Sequence, residues 1–166
     1  MEQVRDSSKS LQLLSELLLS IPFSEQSGAE AHGLQRSAEN YSDRVCEYTC
    51  ALNQKDFDNL LALANTNHVV MRAFPALEQI FQARGSREKA EWTAEVVHKE
   101  TERINHAVGF LAQICSALEA GGCPVTVIKS LDHWPDLGSD LDLYTDADPE
   151  SVIELMDVHF KAKPDY

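Results

Sequence analysis

The apolar residues of this chain change their period once, between Gly122 and Pro124, and that change limits the folds open to it. Before it, apolar side chains recur at steps of three and four, the spacing of one helical face. After it come two short runs, Pro124–Ile128 and Leu141–Tyr144, separated by the turn formers Pro135, Asp136 and Gly138. Runs of that length and composition are strands. Asp148-Pro149 then pairs an N-capping residue with proline at the first helical position, opening a helix through Ile153, Met156 and Phe160. The order predicts an α+β chain, mostly helical, ending in a small region of about two strands. Two strands alone are marginal, so their edge calls for cover from helices, a second copy or a partner chain.

The helical part divides further. Residues 8 to 21 carry Leu11, Leu14, Leu18 and Ile21 on one stripe, and Pro22 stops the helix. The polar Gly/Ser-containing stretch from Phe23 to Gly33 reads as a flexible loop. Leu34, Ala38, Tyr41, Val45, Tyr48 and Leu52 form the next stripe, with Cys46 and Cys50 beside it. Those cysteines and His32 lack a second ligand pair at zinc-site spacing, so they read as structural. Asp56 is the expected N-cap of a helix to Ala64, and His68 reads as a packed or half-exposed residue. Pro75 is expected to open a helix ending at Gly85. The longest helical pattern runs from Arg87 to Ala120, with a break expected near Lys99–Arg103, where the stripe thins. Trp92 reads as core.

A formal net charge of −13 disfavours binding to nucleic-acid backbones, which requires a basic groove. It also repels anionic membranes, and the leucine-rich stretch from Leu11 to Leu19 is too short and too interrupted to be a span or a signal peptide. With no secretory signal, the four cysteines read as thiols of a cytoplasmic protein.

Chemistry is suggested in one place. Asp140 and Asp142 stand at i and i+2 in the second strand, so they share a face while Leu141 and Leu143 point to the other. Paired carboxylates repel unless a cation lies between them, and hard oxygen ligands suit Mg²⁺ or Mn²⁺. His133 and Trp134, in the preceding loop, read first as loop packing and second as groups able to stack on or hydrogen-bond a base.

This pattern resembles the uncharacterised nucleotidyltransferase family of the DNA polymerase beta-like nucleotidyltransferase superfamily. Lys129-Ser130 stands where the family has its small-residue pair, Leu131 to Ser139 fills the gap, and Asp140-Leu141-Asp142-Leu143 is similar to its metal-binding strand. Upstream, Asp56-Phe57-Asp58 with Leu60, Leu61, Leu63 and Ala64, then His68 and Val70, is similar to the helical motif that precedes the family's core. The resemblance covers Lys55 to Phe160. Taken with the helical stripes, it divides the chain into three segments: an N-terminal helix and flexible loop (1–33), a helical region (34–121) and, by the resemblance, a partial nucleotidyltransferase core (122–166). It further implies transfer of a nucleoside monophosphate from an NTP to a hydroxyl acceptor. Asp140 and Asp142 would be the catalytic metal ligands, and Ser130 and, more weakly, Lys129 the phosphate contacts.

The chain departs from the pattern at several points. Lys129 replaces the glycine of the wider superfamily, Ser130 replaces the glycine of this branch, and the arginine usual just before the aspartates is absent. The third carboxylate of the superfamily comes from a later strand and has no counterpart before Tyr166; Asp146 and Asp148 are too close, and Asp157 falls on a helix. A second reading therefore stands beside the first: a non-catalytic, truncated or degenerate core whose helices serve as a protein-interaction module.

Overall fold

The computed structural model describes residues 2–19 and 43–164; the loop expected at 23–33, Pro22, His32 and the first half of the stripe from Leu34 lie outside them. The described part is mostly helical, with a small antiparallel sheet near the C-terminus. Its elements are α1 (Glu2–Leu19), α2 (Asp43–Ala51), α3 (Gln54–Thr66), α4 (Val70–Ala83), α5 (Arg87–Ala120), β1 (Thr126–Val127), β2 (Leu143–Tyr144) and α6 (Pro149–Phe160). They fall into two compact units, Met1–Glu100 and Thr101–Tyr166.

In the first unit, α1 packs on α2, α3 and α4. Leu13, Leu14 and Leu17 of α1, Phe57, Leu60 and Ala64 of α3, and Phe74, Leu77, Ile80 and Phe81 of α4 are buried together. The Phe57 ring meets Phe74 and Trp92 edge-on, with centroids 5.7 and 5.6 Å apart, a geometry favoured by the aromatic quadrupole. Trp92 is half-buried against this core, as its place on the stripe predicts. The buried hydroxyls of Thr49 and Thr93 donate to carbonyls one turn back, at 2.9 and 2.8 Å. Lys89 donates to the Cys50 carbonyl at 2.7 Å, placing a cation at the C-terminal end of α2.

Several boundaries differ from the sequence reading. Asn53, not Asp56, caps α3: the extended Asn53 accepts from the Asp56 N–H at 3.0 Å, leaving Asp56 in the first turn, where its charge suits the helix dipole. Pro75 does not open α4 but lies inside it. An interior proline disfavours a helix by about 3 kcal/mol; here Val70, Ala73, Phe74 and Leu77 are buried on either side of it, and that burial opposes the penalty. His68 is exposed, with φ at 50°, in the turn between α3 and α4. There it ends α3 as a C′ residue: its N–H reaches Asn65 O, and the Val69 N–H reaches Ala64 O. Finally, α5 is continuous through Lys99–Arg103.

In the second unit, α5 ends in the same motif. Gly122 sits at φ 80°, its N–H bonds Glu119 O, and the Cys123 N–H bonds Leu118 O. The apolar contact that accompanies such an end is present, because Leu118 and Cys123 are buried together with Ile114. Val152, Leu155, Met156 and Phe160 of α6 pack on this cluster. The strands run antiparallel, Thr126 opposite Tyr144 and Val127 opposite Leu143. They are shorter than the apolar runs that form them, since a left-handed residue, Lys129 at φ 61°, turns the chain just beyond β1. Flanking bonds lengthen the pairing: Ile128 N–H to Asp142 O at 2.9 Å, and the Thr145 hydroxyl to Pro124 O at 2.6 Å.

Candidate functional site

The approach to β2 alternates as its sequence requires. Asp140, Asp142, Tyr144 and Asp146 are exposed; Leu141, Leu143, Thr145 and Ala147 are half-buried. Both candidate carboxylates are exposed, but they lie just ahead of β2 and not within it as the sequence reading has them; of the alternate positions, Leu143 and Ala147 pack on the buried cluster of the second unit. The Ser139 hydroxyl donates to Asp140 Oδ1 at 3.3 Å.

What fixes this segment is Ser130. Its side chain is buried, and its Oγ accepts the Asp142 N–H at 2.6 Å. The hydroxyl hydrogen faces the carbonyls of Ile128 and Asp142, both at 3.4 Å. The Ser130 N–H turns back to Ile128 O at 2.7 Å. Serine thus takes the place of a ladder residue just past the last strand pair, clasping the Lys129-Ser130 corner to the acidic segment. Lys129, left-handed and exposed, is the outward-facing residue of that corner.

A series of turns, not a helix, follows Ser130. Asp132 N–H bonds Lys129 O, Trp134 N–H bonds Leu131 O, and Asp136 N–H bonds His133 O, at 2.9, 3.1 and 2.9 Å. The loop is then anchored by buried Asp136 and Leu137. From α5, Arg103 donates to Leu137 O at 2.5 Å and to Gly138 O at 3.4 Å. A guanidinium therefore reaches the stretch just before the aspartates, where the sequence itself carries no arginine. Leu131, His133 and Trp134 are exposed on this loop.

The sequence reading gives Arg103 and Asp136 no part in the site. Arg103 lies far upstream in a stretch marked only by its thin apolar stripe, and buried Asp136 looks like an ordinary turn residue. No spacing signal links either to the aspartates.

The remaining acids are placed separately. Asp148 caps α6, accepting from the Ser151 N–H and hydroxyl at 3.1 Å each, while Asp146 and Asp157 are exposed. Among the described residues, no group of three His, Cys, Asp or Glu side chains is arranged to hold a metal. On α2, Cys46 is buried and Cys50 exposed, and both are free thiols. No helix among the described residues is long and apolar enough to cross a membrane. No family model, curated protein or solved structure matches the chain.

Proposed function

We propose that the chain is a metal-dependent nucleotidyltransferase of the cytoplasm, moving a nucleoside monophosphate from an NTP to a hydroxyl acceptor. The observation that carries this reading is the clasp between Ser130 and Asp142. It joins the Lys129-Ser130 corner to the segment that carries two exposed carboxylates. The left-handed backbone at Lys129 adds support, since glycine adopts that conformation most readily and the resembled superfamily has glycine there.

Asp140 and Asp142 offer hard oxygen donors open to solvent, which suits a divalent cation that keeps several waters. They would hold Mg²⁺ or Mn²⁺, and such a cation lowers the charge barrier to approach of a triphosphate and activates a hydroxyl. Lys129 supplies an exposed cation on the phosphate side. Ser130 contributes by fixing the backbone of Asp142, and Arg103 by holding the loop that leads into Asp140.

Calorimetric titration with Mg²⁺-ATP and the other Mg²⁺-NTPs tests the reading. Wild type should bind at least one of them, and Asp140→Asn/Asp142→Asn should lose that binding. A silent wild type, or unchanged binding in the double variant, contradicts it.

One observation favours a second reading: no third metal-ligating side chain joins the pair among the described residues. In that reading the chain is a non-catalytic interaction module, and the short sheet edge pairs with a second copy or partner. Light scattering that finds a stable oligomer, together with no nucleotide binding, selects it.

A further inference from the structure

We infer that Trp134 is the stacking platform for the nucleobase of the bound nucleotide, an inference that rests on the nucleotidyl-transfer reading. Trp134 is 57% exposed, so more than half of this large aromatic residue stays open to a ligand. Leaving that much of a large aromatic surface in water forgoes the burial that normally stabilises it. Neighbouring Leu131, 44% exposed, adds to the apolar surface of the same turn.

The ring stands on a held support. The Trp134 N–H closes a turn on Leu131 O, and the next turn closes from Asp136 N–H to His133 O. Directly after it, Asp136 and Leu137 are buried, and Arg103 grips the Leu137 carbonyl. An aromatic presented on a fixed loop loses little freedom when a ligand stacks on it.

The support is also joined at each end to a residue that carries one of the carboxylates. Ser130, at the start of the loop, is bonded to the Asp142 backbone, and Ser139, at its end, is bonded to Asp140. Trp134 lies four residues beyond Ser130, so its backbone is within about 14 Å of that corner even if fully extended. That span is comparable with a nucleoside triphosphate measured from terminal phosphate to base.

The electrostatics agree. A neutral base is not repelled by the surrounding acids, whereas the triphosphate needs the cation at Asp140 and Asp142. Because every base has a π-face, stacking favours nucleotides as a class, with purines ahead of pyrimidines by their larger area.

The experiment compares Mg²⁺-ATP with Mg²⁺-inorganic triphosphate, which carries the charge and no base. Each is titrated calorimetrically into wild type, Trp134→Leu, Trp134→Phe and Asp140→Asn/Asp142→Asn, with folding checked by circular dichroism. Trp134→Leu should weaken ATP about tenfold, Trp134→Phe should keep most of the affinity, and triphosphate should bind all three chains with paired aspartates equally. Unchanged ATP affinity in Trp134→Leu overturns the inference. So does a parallel loss of ATP and triphosphate, which marks a structural role for the ring. ATP binding that needs Trp134 but not the aspartates overturns the metal-site reading and leaves stacking standing. Failure of wild type to bind either ligand overturns both.

Discussion

Ser130 shows how much of the candidate site is a matter of single hydrogen bonds. Its sequence position suggests a phosphate contact, but its hydroxyl is committed to the Asp142 backbone. Replacing it with alanine removes that bond from a partly buried N–H, at a cost of about 0.5–1.5 kcal/mol. Ser130→Ala should therefore accelerate hydrogen exchange at the Asp142 amide; unchanged protection there contradicts the clasp. The exposure of both aspartates was legible in the period-two alternation, whereas their place ahead of β2, outside its paired residues, was not. The clasp was not legible, since its partners are twelve residues apart. Arg103 was still less so, reaching Leu137 across 34 residues with no motif connecting them.

At the scale of elements, helix ends repay attention. α3, α4 and α5 close with the same pair of bonds around a left-handed residue: His68, Gly85 and Gly122. The glycines were readable as stops, whereas His68 was not, because histidine carries no turn signal and sits in a run that continues apolar. A non-glycine residue in this conformation is disfavoured by roughly 1–2 kcal/mol, partly offset by the extra freedom glycine brings to the unfolded chain. His68→Gly should raise stability by up to about 1 kcal/mol, read as a higher denaturation midpoint, and Gly122→Ala should lower it by about as much. The opposite signs would contradict these assignments. In α5 the thinning stripe suggested a break, but the helix continues with Glu95 and Lys99 paired across one turn at 2.5 Å, in the favourable order. The Lys99 hydrogen bond, then its charge, hold the Glu95 carboxyl below its ordinary 4.5. The pair therefore contributes while Glu95 is ionised, and the contribution fades as pH falls through the lowered folded value. Both side chains are largely exposed, so the effect is small and salt-sensitive.

For the whole molecule, the class was readable from the single change of period: helices first, then a small sheet. The division into Met1–Glu100 and Thr101–Tyr166 falls where the α5 stripe thins, with separate clusters of buried residues on either side in sequence. Within the first unit, Phe57 is the side chain on which Phe74 and Trp92 converge. Phe57→Ala should destabilise that unit by about 3–5 kcal/mol, measured by denaturant unfolding followed through Trp92 fluorescence with Trp134 replaced; a change below about 1 kcal/mol would contradict its central place. The second unit carries the functional claim, and its acids are spread over the approach to β2 and over α6. A ¹H–¹⁵N NMR titration with Mn²⁺ distinguishes a metal site from general acidity, because the paramagnetic ion broadens only nearby amides. Selective broadening of Ser139 to Leu143 and of Ser130, abolished in Asp140→Asn/Asp142→Asn, is the predicted result. Broadening centred on Glu150, Glu154 and Asp157, or broadening that survives the double substitution, would contradict it.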